Sequence, residues 1–212
     1  MRPGRGLAEI GVPIMPRPVP FARRLLLLLV IGVSTIDPAV AGVTSRSVVN
    51  PHWVEGTTAR AVVSDMARNP FPGDHGAAYA NVRPRYDLTV GTAERGGACV
   101  AAAIDLHVQF TMTLPKARDE SRMTPGTRAA WTRFVTFARR HEETHVGSYL
   151  AYARSLAAST IGLARPSCME VRLEVQRRFA AMRQTAELAQ SAFDRQQAGL
   201  LRRLGLFRMA GR

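Results

Sequence analysis

The sequence is short of several things, and each shortage excludes something. Among its 29 basic residues only Lys116 is a lysine, so the formal charge of +13 is carried almost wholly by arginine. Two cysteines in 212 residues cannot form a disulfide-dense scaffold or a four-cysteine zinc site. The longest apolar stretch, Leu25 to Val33, is broken by Gly32 and falls well short of the ~20 residues a membrane-spanning helix needs. No histidine follows His145, and no internal repeat is visible. What remains, 46% hydrophobic with 21% charged, is ample for one folded domain and too apolar for wholesale disorder.

The first 41 residues read as an export signal. Arg23 and Arg24 precede the apolar stretch, and the small triplet Ala39-Val40-Ala41 follows it. A basic segment, a short apolar segment and an A-x-A site are the parts of a cleaved signal peptide, with Met1 or Met15 as the start. Cleavage near Ala41 removes five arginines and two acids and leaves a charge of +10 on a periplasmic or secreted protein. In that oxidising setting the simplest fate of Cys99 and Cys168 is to pair. Export also weighs against a nucleic-acid partner, for which no recognised module is present.

The rest of the chain divides into a domain over 42–198 and a basic amphipathic tail over 199–212. A short strand is expected around His52–Glu55, then a helix capped by Thr57 or Thr58 with Ala59, Val62, Val63 and Met66 on its apolar side. Residues 69–76, which include His75, read as a loop. From Val100 to Leu114 the even positions are apolar and the odd ones small or polar, the period of a strand. Fifteen residues is long for one strand, so a bend or bulge is expected within it. Tyr86–Val90 is its hairpin partner across Gly91–Gly97. The period then changes. Thr124-Pro125 starts a helix running to about Ile161, and Ser167 starts another running past Phe193 with Val171, Val175, Phe179, Met182, Ala186, Ala189 and Phe193 as its stripe. The elements imply an α+β fold, a small antiparallel sheet built on a long hairpin and packed with two long helices. The tail interleaves arginines with Leu200, Leu201, Leu204, Leu206 and Phe207, a composition suited to an anionic membrane or cell-wall surface or to covering the helices.

The chemistry lies in His141-Glu142-Glu143-Thr144-His145. Two histidines four residues apart on a helix share a face and can share one metal ion, while Glu142 is offset to reach a metal-activated water. This is the H-E-x-x-H pattern of zincin metalloproteases, and a chance match is expected on the order of 0.005 times in a chain of this composition. The pattern implies a Zn2+-dependent peptidase acting on protein or peptide substrates, with Glu142 as general base. The alternative is an inactive zincin-like envelope protein with a structural or binding role. A catalytic zinc takes a third protein ligand. With no histidine after His145, that ligand is a downstream carboxylate (Glu170, Glu174, Glu187 or Asp194), a histidine from the N-terminal half, or absent. Tyr149, Tyr152 and His107 are the available guesses for a residue that stabilises an oxyanion.

The sequence resembles the bacterial "domain of unknown function 922" family, described as secreted zinc-dependent proteases. The resemblance spans roughly residues 50–200. It rests on Gly56-Thr57-Thr58 before a short helix, Cys99 opening the alternating strand, Thr113-Leu114-Pro115 closing it, Trp131 ten residues before His141, the H-E-x-x-H motif, and Cys168 opening the next helix. It implies an exported metal-dependent peptidase with a Cys99–Cys168 disulfide, and it favours Asp194 as third ligand; Glu187, placed suitably on the following helix as Glu174 also is, comes next. The family carries a Tyr-Asp pair here and, closely after, a His-Gly pair. This chain keeps the Asp, has Phe193 for the Tyr, and lacks the His.

Overall fold

The computed structural model describes residues 40–73 and 76–211. All but the last two residues of the expected signal peptide lie outside the described residues, as does His75. The elements are β1 (Val40–Val54), α1 (Ala59–Arg68), β2 (Phe71–Gly73), β3 (Gly76–Ala78), β4 (Asn81–Arg95), β5 (Ala98–Ala117), a 3₁₀ turn (Glu120–Arg122), α2 (Pro125–Thr160), β6 (Ala164–Arg165), α3 (Cys168–Leu201) and α4 (Gly205–Ala210). The fold is α+β, as the periodicities imply.

The main sheet has the order β1-β5-β4, with β6 pairing β5 at Cys99 and Val100. β4 and β5 form the expected antiparallel hairpin, closed at Gly96 and Gly97, whose positive φ angles suit the two-residue turn. β4 extends further at both ends than Tyr86–Val90, so most of Gly91–Gly97 is strand and not loop. β1 pairs with β5 in parallel, which makes the sheet mixed and not purely antiparallel. Only the end of β1 is legible in the sequence, because almost the whole strand is an exposed edge with no buried face to impose alternation. Residues 69–76 contain β2, half of a two-strand ladder with β3, where a plain loop is expected.

The bulge expected in β5 is present. Gly91 pairs with Ala103 and Thr92 with Ala101, which leaves Ala102 as the extra residue. A Cβ on Gly91 would lie 2.9 Å from that of Ala103, a close approach that only glycine permits. The extra residue inverts the alternation below it. Ile104, Leu106, Val108, Phe110, Met112 and Leu114 point into the core, but beyond the bulge Cys99 and Ala101 do so in place of Val100 and Ala102. That inversion lets Cys99 reach Cys168 at the first turn of α3, and the two are disulfide-bonded across 69 residues.

Both long helices lie on this apolar face. α2 begins at Pro125 behind the Thr124 cap and contributes Tyr149, Ala153 and Leu156 to the core. α3 begins behind Ser167, whose hydroxyl and the Glu170 side chain form a reciprocal capping box, and contributes Met182 and Ala186. Contacts descend in order (141 with 194, 145 with 190, 149 with 187), so the helices run antiparallel. A second core cluster joins α1 to the start of α2 through Val54, Val62, Met66, Trp131 and Phe134. Leu206 of α4 is fully buried in it. The apolar side of the basic tail therefore faces the protein's own core, while Arg202, Arg203 and Arg208 are exposed. Among the described residues no helix is long and apolar enough to cross a membrane.

Candidate metal centre

α2 presents His141 and His145 toward α3, which answers with Gln190 and Asp194 at the same four-residue spacing. The two i,i+4 pairs interlock. Asp194 Oδ1 lies 3.0 Å from His141 Nε2 and 2.9 Å from His145 Nε2, and the two Nε2 atoms are 3.1 Å apart. The three ligand atoms thus form a nearly equilateral triangle. Tetrahedral coordination at 2.0–2.1 Å needs ligand–ligand separations of about 3.3 Å. Opening the triangle by a few tenths of an ångström would make it one face of a zinc tetrahedron. Two imidazole nitrogens and one carboxylate are also a donor set that zinc favours. Residues and geometry fit the ion.

The histidines are held differently. His145 is buried, and its Nδ1–H donates to Gln190 Oε1, while the Gln190 amide donates to Ser148 Oγ at 3.0 Å. His141 is held by aromatic rings. Phe193 stacks on it with centroids 5.0 Å apart, Phe137 stacks at 6.3 Å, and Phe193 also meets His145 edge-on at 5.2 Å. The ring that replaces the tyrosine of the resembled pattern touches both histidines.

Electrostatics follow from this packing. Burial pushes the Asp194 carboxyl up, but hydrogen bonds from both histidines outweigh it and hold the group well below the usual carboxylate range. Burial disfavours the charged form of His145, yet hydrogen bonds to Asp194 and Gln190 leave its pKa raised. Glu142 is 4% exposed, and burial is the largest influence on it, pushing its carboxyl up to about 7. The histidines and a hydrogen bond from the Val82 backbone on β4 oppose that rise, and Asp194 adds to it. Glu143, the charged residue inside the motif, points into solvent, where its charge costs little.

His141, Glu142 and Asp194 line a cleft of about 260 Å³. Its other walls are mostly apolar: Tyr79, Phe134, Phe137 and Leu201, with Ala198 and Gln197 from α3.

A family model described as bacterial protein of unknown function, DUF922, matches residues 49–199. The chain belongs to that family. No curated protein and no solved structure is significantly similar to it. Within this DUF922 protein the structure also sorts the alternatives for the third ligand. Among the described residues, His141, His145 and Asp194 are the group whose ligand atoms converge. Glu187 instead accepts hydrogen bonds from Tyr149 at 3.1 Å, which ties up both residues. Glu174 is bound by Arg177 and Arg178 on the surface, with Arg165 at 3.6 Å, and Glu170 serves the capping box. His107 meets Thr44 on the opposite face of the sheet, and Tyr152 packs against the core. None of the three guesses for an oxyanion-stabilising residue lines the cleft. Phe193 is expected only as part of the helix stripe, and Gln190 is not expected at the site at all. The signal for Gln190 lies in its spacing from Asp194, which repeats that of the two histidines.

Proposed function

We propose that this DUF922 protein is an exported zinc-dependent peptidase. The observation that carries the reading is the convergence of His141, His145 and Asp194 at the wall of a cleft that Glu142 also lines. Bound zinc would act as a Lewis acid, polarising the scissile carbonyl and lowering the pKa of water at the site. The remaining steps belong to the protein. Glu142 takes a proton from the attacking water and returns it to the leaving amine. Burial keeps that carboxyl out of competition with bulk solvent, and the Val82 backbone fixes its orientation. The apolar cleft walls suit an uncharged, apolar substrate side chain beside the cleaved bond. The disulfide supports export, because such bonds persist outside the reducing cytoplasm.

Zinc stoichiometry of the purified protein, compared with a His141→Ala variant, tests the site. One zinc per chain is expected in the wild type and none in the variant. Glu142→Gln is expected to keep the metal and lose hydrolysis of peptides carrying leucine or phenylalanine. Failure of the wild type to take up zinc at micromolar concentration would refute the proposal. Hydrolysis that survives in Glu142→Gln would remove Glu142 from its role.

A further inference from the structure

The residue after the ligands that matters most to the site is an amide. Gln190 is 3% exposed, and its two polar atoms are both committed, Oε1 to His145 Nδ1 and Nε2 to Ser148 Oγ. A side-chain amide has one accepting and one donating end. With the donating end on the serine, the accepting end faces the imidazole and requires its proton to be on Nδ1. His145 Nε2 is then the nitrogen left to bind an ion, and it faces Asp194 Oδ1 and His141 Nε2 at the corner where the three ligand atoms meet. His141, by contrast, is held by the rings of Phe137 and Phe193.

We infer that Gln190, braced by Ser148, is the positioning residue that fixes the tautomer and orientation of His145 for metal binding, an inference that rests on the metal reading above. The Gln190 amide is neutral, so Asp194 alone supplies negative charge to the ligand set. Partners of this kind orient a ligating histidine, and their loss typically weakens metal binding roughly 10–100-fold. Ser148 acts one step further out: without its hydroxyl the amide is free to turn over and present a donor where His145 needs an acceptor.

The experiment is zinc affinity by chelator competition on the full-length protein, in five forms: wild type, Gln190→Leu, Gln190→Glu, Ser148→Ala and Val175→Ala. Val175 is a fully buried core residue of the same helix outside the site, so its truncation reports on loosened packing alone. Gln190→Leu is expected to bind zinc roughly 10–100-fold more weakly. Gln190→Glu, which keeps the acceptor, should stay close to wild type, Ser148→Ala should fall between, and Val175→Ala should melt earlier at unchanged affinity. Wild-type affinity in Gln190→Leu would overturn the inference, as would a Gln190→Glu variant as weak as Gln190→Leu. Equal weakening by Val175→Ala would reduce Gln190 to a packing residue. A wild type that binds no zinc would overturn both this inference and the peptidase reading, whereas zinc binding indifferent to Gln190 would overturn this inference alone.

Discussion

Replacing Glu142 with glutamine in the metal-free protein changes how stability depends on pH. The wild-type carboxyl has its pKa raised from 4.5 to about 7, chiefly by burial. A carboxyl raised on folding stabilises the native state while it is protonated. Its contribution is full below the unfolded pKa and is lost as pH rises through the folded one. A shift of that size corresponds to roughly 3 kcal/mol, and the residue is too buried for solvent to screen much of it. His145 acts in the same direction, since its raised pKa contributes stability that fades as pH climbs above its ordinary value. The lowered pKa of Asp194 gives no slope here, because its contribution is complete once pH exceeds the normal carboxylate range. The metal-free wild type should therefore melt roughly 5–10 °C lower at pH 8 than at pH 5. Glutamine has the same shape and no charge to lose, so Glu142→Gln should show only the smaller slope left by His145. Thermal unfolding followed by circular dichroism after chelator treatment measures both. A slope in the variant equal to that of the wild type would refute the assignment of a destabilising buried charge to Glu142.

Other outcomes follow from the same structure. The Cys99–Cys168 bridge closes a loop of 69 residues, so the Cys99→Ser/Cys168→Ser protein should lose roughly 4 kcal/mol, visible as a lower denaturant midpoint. Leu206→Ala removes the fully buried anchor of α4 and should cost about 2–5 kcal/mol, with protease cleavage near residues 202–204 as a sensitive readout. Ala198→Trp places a large ring in the cleft next to the metal ligands; zinc content should be unchanged while cleavage of peptides with an apolar side chain is lost.

Much of this was legible in the sequence because the relevant signals are local. Thr124-Pro125 and Ser167 mark helix starts by satisfying free amides, and both α2 and α3 begin there. The histidine spacing implies a shared face wherever the helix lies. What was not legible depends on contacts made across the fold. β1 is unpatterned because its neighbour, not its own burial, holds it in place. The phase inversion at Ala102 needs the register against Gly91, which one strand's pattern cannot reveal. Gln190 sits where the apolar stripe of α3 would place Ala189, and only the facing helix shows why a polar residue is buried there. The tail reads as amphipathic from either side; that its apolar face turns inward is decided by the pocket between α1 and α2.

The anchoring of α3 has a mechanical consequence. The helix is 34 residues long, a rod of about 50 Å, and is clamped near both ends. Cys168 rivets its first turn to the sheet, and just beyond Leu201 the chain turns so that Leu206 plugs the core beside Trp131. Gln190 and Asp194 sit on the span between these clamps, and a beam held at both ends resists sideways displacement far better than one held at a single end. Releasing either clamp should widen the range of positions open to Asp194 without altering a ligand. The size of ion the site accepts would then be governed from the rod's two ends.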